Sequence, residues 1–432
     1  MQNDMSFVAT GDSFITRRLP SKDKSFQEVS SIIKGAEFRF TNLEVTVHKD
    51  EGVPYAFSGG TWAKAEPKVL EDIKDYGFNA LNIANNHTLD YSSQGLEATQ
   101  RYLEEYDLFY AGAGKNLAEA SRPKYLDCPS GRVAFIAATS SFYASWIAGE
   151  QRPEVKGRPG INPLRYETVH YLSEERFQQL KNISQVTGIN DARVVSQREG
   201  FTLPDPDNVF IFGGHKFSKS EREGLETYPN KTDLNRMINS IGEAKRQADY
   251  IIISIHAHPF AGLDKEIPAK FLESFSRACI DAGAHAVLGH GPHILRGIEI
   301  YKGRPIFYSL GNFIFQSETV PYLPWDFYEK YGLGFTDNVA DALDIRTEND
   351  TRGLGADPKV WESVIARWDM KDGIMKRLEL YPIEMGYGDP RYKRGWPRLS
   401  NNTDILYRLR ELSANYGTEI HIEGLNGIIN IS

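Results

Sequence analysis

Five groups of polar residues follow apolar runs along this chain: Asp12; Glu44; Asn86 with His87; His256 with His258; and His290 with His293. Carboxylate oxygens and imidazole nitrogens without thiolate suit Mn, Fe, Zn or Co better than a structural thiolate zinc site. The last pair lies in Gly289-His290-Gly291-Pro292-His293, where glycine lets the backbone fold tightly enough for both rings to face one point. His256 and His258 stand at i and i+2, so they project to the same side of an extended chain. A carboxylate has two oxygens, which makes Glu44 a candidate bridge between two ions, ~3.5 to 4 Å apart in two-metal hydrolases. Such ions lower the pKa of a shared water and clamp an oxyanion. Taken singly, each group has an ordinary use: Gly11-Asp12 as a turn, Glu44 as a solvated rim residue, Asn85-Asn86 as turn residues. Their recurrence after successive apolar runs points to a divalent-metal site.

For the five groups to meet, the strands before them must share one edge. Periodicity predicts strands at Ser6 to Thr10, Phe38 to Thr41, Ala80 to Ala84, Phe109 to Ala111, Arg132 to Ala138 and Tyr250 to Ile255. Between them it predicts helices at Phe26 to Ile33, Pro67 to Tyr76, Ser93 to Tyr106, Leu234 to Gln247 and Ala269 to Ala282. Alternation of this kind implies βαβ units, which gather the C-terminal ends of their strands where open α/β sheets place their ligands. From 140 to 249 the rhythm breaks into Pro and Gly turns, one helix and a short β element, as expected of an inserted elaboration. Residues 320–361 read as a loop-rich pocket wall. A hairpin and a helix near Asp404 to Asn415 then complete the domain over 363–432, so that 1–362 and 363–432 form one unit.

Composition narrows the class. A chain of 432 residues with 41% hydrophobic, 25% charged and 12% aromatic residues is a folded globular protein, and a net charge of -8 gives no global field for nucleic acid or an anionic membrane. The N-terminal stretch has no basic segment followed by an apolar one, and no run approaches the ~20 apolar residues of a membrane span. A cytoplasmic chain with no membrane contact is expected. Cys128 and Cys279 are too few for a disulfide framework and are expected as free thiols. His48, His170, His215 and His421 have no companion ligands in sequence, and His285 lies in the approach to a buried strand; structural or surface roles are expected. No G-x-S-x-G elbow occurs, and GAGK at Gly112 to Lys115 lacks the spacing of a P-loop.

The motifs ATGD (Ala9 to Asp12), TNLE (Thr41 to Glu44), ANNHTLDY (Ala84 to Tyr91), GAGKNLAEASRP (Gly112 to Pro123), SIH (Ser254 to His256), GAHAVLGHGPHILRGIEIYKGRPI and YSLGNFIF resemble those of the CapA, or PgsA, family of poly-γ-glutamate capsule proteins. That resemblance implies the calcineurin-like metallophosphoesterase fold, an α/β class built as a four-layer α/β/β/α sandwich. It also implies one or two divalent ions. Asp12 and Glu44 would be carboxylate ligands, with Glu44 bridging; Asn86, His256 and His290 would hold the second ion and His293 the first. His87 would assist the leaving group, oriented by Asp90. The chain departs from the pattern in three places. Asp12-Ser13-Phe14 stands where the phosphoesterases have Asp-x-His. His256-Ala257-His258-Pro259-Phe260 replaces His-Trp-Gly-x-Glu, so that His258 is either a substitute ligand or a base. His290-Gly291 replaces a double histidine.

The leading expectation is a metal-dependent hydrolase of a phosphoester or a glutamyl or peptide amide, with a small-molecule or peptide substrate. Two others stand beside it. One is an epimerase exchanging an α-proton between two histidines. The other is a non-catalytic partner in poly-γ-glutamate synthesis or a peptide-modifying system.

Overall fold

The apolar run Met5–Phe14 lies in the interior of a ten-stranded sheet. On one side it pairs in parallel with Phe38–Leu43, followed by Ala80–Asn82 and Tyr110–Ala111. On the other it pairs antiparallel with Glu362–Lys371, and then come Ile374–Glu384, Asn426–Asn430 and His421–Glu423. A six-stranded sheet is centred on Tyr250–His256, flanked in parallel by Gly131–Thr139 and Ala286–His290. The computed structural model describes residues 4–206 and 208–430; the ends of the expected domain ranges, 1–3 and 431–432, lie outside them.

The mixed α/β class follows from which faces are apolar. Phe7, Phe38, Phe40 and Trp368 of the larger sheet share one core with Phe135, Tyr250, Ile252 and Leu288 of the smaller. Phe7 and Trp368 stack with centroids 5.2 Å apart. The opposite face of the larger sheet is covered by helices Lys24–Lys34, Val69–Tyr76 and Ser92–Glu105, which bury Ile33, Ile73 and Leu103. Helices Lys231–Ala244 and Lys270–Ala282 cover the smaller sheet through Ile241 and Phe275. With both faces covered, Tyr250–His256 is buried throughout, as its continuous apolar run requires. Among the described residues, no helix is long and apolar enough to cross a membrane, and both cysteines are free.

Three segments differ from their sequence-based description. The first strand continues to Phe14, so Asp12 sits within it, after a bulge between Ala9 and Asp12. Gly11 makes this possible, since a Cβ there would lie 1.9 Å from the Gly311 carbonyl oxygen. The 140–249 segment contains a four-stranded sheet in the order Val209–Phe212, His215–Lys219, Tyr166–Leu172, Gly224–Pro229, with helices Glu174–Thr187 and Asp191–Arg198. These strands are half-exposed and pair mainly with one another, so they lack the apolar run that marks the buried strands. Residues 320–361 hold two short helices, Trp325–Lys330 and Val339–Thr347, the second started by a capping box between Asn338 and Asp341.

His285 is structural, as expected: its Nδ1 accepts from the Ile251 backbone N–H at 3.0 Å. Burial, with Arg304 and Lys245 nearby, pushes its pKa down to about 3. The unfolded chain therefore takes up this proton first, and stability falls as pH drops from about 6.5 towards the folded value. At pH 5 the residue is expected to cost roughly 2 kcal/mol relative to pH 7. In urea titrations at the two pH values, His285→Gln should show a smaller acid-induced drop in midpoint than the parent.

Candidate metal centre

The parallel register sets the rim of the site. Asp12 pairs with Asn42 on one side and Asn312 on the other, and His256 pairs with His290. Asp12 is fully buried and accepts from the Asn42 amide at 2.7 Å and the Gly291 backbone N–H at 2.9 Å. Its oxygens lie 3.3 Å from His290 Nδ1, 3.6 Å from His293 Nδ1 and 3.7 Å from His256 Nδ1. Burial raises its pKa, but the hydrogen bond and charge of His290, with His293 and Asn42, outweigh that and hold it below the usual carboxylate value.

Glu44 is different. It is equally buried, yet neither carboxylate oxygen meets a hydrogen-bond donor. Around Oε1 stand three imidazole Nε2 atoms, of His256 at 3.7 Å, His293 at 3.8 Å and His87 at 4.0 Å. Burial, then Asp12 and Asp90, push the Glu44 pKa well above its ordinary value. Two donors each ~2.1 Å from one ion lie roughly 3.0 to 4.2 Å apart in tetrahedral or octahedral geometry. The gaps around Glu44 fall in that range, and a divalent cation would compensate the carboxylate that no protein group reaches. Ligand atoms within 4.8 Å of one another form three overlapping trios: Asp12, His256 and His290; Glu44, His256 and His258; Asp12, Glu44 and His293. The donor set therefore fits a divalent metal.

The histidines are turned by their far nitrogens. His293 Nδ1 meets Asn312 Oδ1 at 2.9 Å, leaving Nε2 towards Glu44. His290 Nε2 meets the Ser254 hydroxyl at 2.8 Å, leaving Nδ1 towards Asp12 and 3.0 Å from His256 Nδ1. Partners of this kind fix the tautomer and orientation of a ligating imidazole. Burial is the first cause lowering the pKa of His256 and His293, and together with His293 it brings His258 to about 3. Neutral rings with free lone pairs result. The turn is strained at His293, where φ is 62°, and Gly291 takes φ 121° without that cost.

At the edge of the cluster, His87 Nδ1 meets Asp90 Oδ2 at 2.6 Å. Asp90 is fixed in turn by the backbone N–H groups of Gly59 and Ala63, at 2.9 and 2.7 Å. Phe14 packs edge-on to His87, centroids 5.1 Å apart. Asn86 donates to the Gly59 carbonyl at 2.9 Å, and its Oδ1 is buried without a partner. His258 Nε2 lies 3.1 Å from His256 Nε2, on the ligand side of the site. Asp12, Glu44, His256, His258, His290 and His293 thus converge, with His87 beside Glu44, Asp90 behind His87, and Asn86 held at Gly59. Sequence reasoning missed Asn42, Ser254 and Asn312 as orienting groups. Their signal was present, since each is a polar residue within an apolar strand. A cleft of about 110 Å³ opens beside His87 and His293.

Comparison with known proteins yields a consistent picture. The family described as "Bacterial capsule synthesis protein PGA_cap" matches residues 6–317. The uncharacterized protein y4sH of Sinorhizobium fredii is 33% identical over 443 aligned positions, covering 99% of this chain and 93% of that one. The capsule biosynthesis protein CapA of Bacillus anthracis is 26% identical over 68% of this chain and 54% of its own length. The PGA biosynthesis protein CapA of Bacillus subtilis is also 26% identical, over 57% of its own length. Among solved structures, a hypothetical protein from Thermus thermophilus aligns over 88% of this chain and 99% of its own, with TM-score 0.40 and 11% identity.

Glu44→Gln is expected to abolish retention of Mn or Zn through desalting, read by elemental analysis. Asn312→Ala removes the partner of His293 Nδ1, together with a hydrogen bond to the Val360 carbonyl, and should weaken metal affinity roughly 10- to 100-fold in a chelator competition. Full metal retention by Glu44→Gln would refute this site.

Proposed function

The chain belongs to the bacterial capsule synthesis protein family PGA_cap, and on that premise we propose that it is a metal-dependent hydrolase of a phosphoester or a glutamyl or peptide amide. The observation that carries the reading is Glu44: a buried carboxylate with no donor, encircled by imidazoles, with an oriented histidine at its edge. The two facing sheets with helices on their outer surfaces support the four-layer α/β/β/α arrangement of the metallophosphoesterase type.

Asp12, Glu44, Asn86, His256, His290 and His293 would hold one or two ions of Mn, Fe, Zn or Co, with His258 able to stand in for a missing ligand. When bound, such ions acidify a water nucleophile and neutralise charge that develops on the attacked group. The remaining work falls to this chain's own groups. His87 keeps its Nδ1 on Asp90, so Nε2 is the atom that delivers a proton to the leaving group. Asp90, held by two backbone N–H groups, favours the imidazolium at that moment and prevents the ring from turning. Phe14 and Phe315 line the cleft beside His87 and His293 and limit the water that reaches them. The epimerase reading needs a second base facing His87. His258 packs instead against His256 among the ligands, which favours hydrolysis.

With Mn-loaded protein screened against phosphoester, γ-glutamyl and peptide substrates, turnover of one class is expected. His87→Gln should lower kcat roughly 10²- to 10⁴-fold with metal content unchanged. Turnover unaffected by that substitution, or deuterium entering unhydrolysed substrate from heavy water, would overturn the assignment.

A further inference from the structure

The pair His87 and Asp90 depends on a turn, and that turn depends on a helix. Residues 59–63 touch both the pair and the helix Val339–Thr347, which lies outside the matched residues 6–317. Asp90 takes the Gly59 and Ala63 N–H groups on its two oxygens, and the Gly59 carbonyl accepts from Asn86. Gly59 also lies against the imidazole: a Cβ there would come within 2.7 Å of His87 Cε1 and 2.4 Å of the Asn86 carbonyl oxygen. A shift of the turn is thus passed directly to Asp90 and to the ring that Asp90 orients.

The helix holds this turn in two ways. Arg346, half-buried, donates from Nη1 to the Gly60 carbonyl at 3.1 Å, and its guanidinium lies 5.8 Å from the Phe327 ring centre. Beside it, Trp62 packs with Phe327, Ala342 and Leu343 in a small apolar cluster that also takes in Tyr91, the residue after Asp90. The Gly60 peptide itself is weakly anchored. Its φ of 122° is one that glycine adopts readily and other residues do not, and its N–H meets only the Ser58 hydroxyl of the same turn, at 3.3 Å. Among the described residues no carboxylate competes for Arg346, since Asp344 and Asp350 are held by Arg391 at 2.7 Å each. Its charge strengthens the bond to the Gly60 carbonyl.

We propose that Arg346 is a positioning residue: by fixing the Gly60 carbonyl it holds the 59–63 turn, so that Asp90 keeps His87 Nδ1 engaged and Nε2 towards Glu44. Its effect on chemistry rests on the hydrolase reading above, whereas the link from Arg346 to His87 is measurable without turnover. Arg346 and Gly60 also line the cleft, so direct contact with substrate is the competing role. The two differ in kinetics. A positioning residue acts on kcat, whereas a group that binds substrate and transition state alike acts on KM.

The test is proton NMR of Zn-loaded protein carrying isotope-labelled histidine. The short bond from His87 to Asp90 should give a protected N–H resonance downfield of the backbone amides, assigned by its loss in His87→Gln. Arg346→Met is expected to speed exchange of that proton with water roughly 10- to 100-fold, or to erase the resonance, with zinc content unchanged. Arg346→Lys keeps a donor on a less rigid stem and should fall between the two; it decides the question alone if thermal melts show that Arg346→Met does not fold. On any substrate that wild type turns over, Arg346→Met should lower kcat roughly 10- to 100-fold with KM little changed. The proposal falls if wild type lacks the resonance, if the folded variants keep wild-type exchange, or if KM rises while kcat holds. Faster exchange in Arg346→Met, in a protein that turns over no substrate, would count against hydrolysis alone.

Discussion

A carboxylate sealed from water with no donor to either oxygen is the constraint on which this fold turns. Glu44 cannot stay ionised in that position unless a cation reaches it, and its pKa is driven up by burial and by Asp12 and Asp90. Everything around it is consistent with a place kept for positive charge that the protein itself does not provide. The nearest nitrogens belong to imidazoles held neutral by burial, and they stand beyond direct hydrogen-bond reach, at separations that a shared ion would bridge.

Holding such a site demands accuracy from elements far apart in the chain. Parallel register sets Asn42 and Asn312 beside Asp12, and His290 beside His256. The positive φ at His293 stores backbone strain at the rim, while glycines admit the bulge at position 11 and the turn at position 291. The two-sheet core, with Phe7 and Trp368 stacked inside it, is what can sustain that strain. Rigid strands carry the ligands, whereas the wall facing them is made by short helices and turns. That division is common where one chemistry is adapted to different substrates.

The wall is also where charge complementarity departs from the rim. Around the cleft Glu318 pairs with Arg394 and Asp350 with Arg391, whereas Arg346 meets no carboxylate among the described residues and donates to the Gly60 carbonyl.

The strand and helix order of the buried sheets was legible in the sequence, because a strand covered on both faces must be continuously apolar and a helix over it must be amphipathic. The polar residues that interrupt those runs, from Asp12 to His293, marked the rim for the same reason. Less was legible where burial is partial. The four-stranded sheet within 140–249 and the helix bearing Arg346 carry mixed faces, and the sequence signal for them is weak. Only tertiary structure decided which nitrogen each histidine presents, that Phe14 shields His87, that His258 joins the candidate ligands, and that Arg346 meets no carboxylate among the described residues. These depend on register, backbone bends and the competition of side chains from segments hundreds of residues apart, none of which local periodicity encodes.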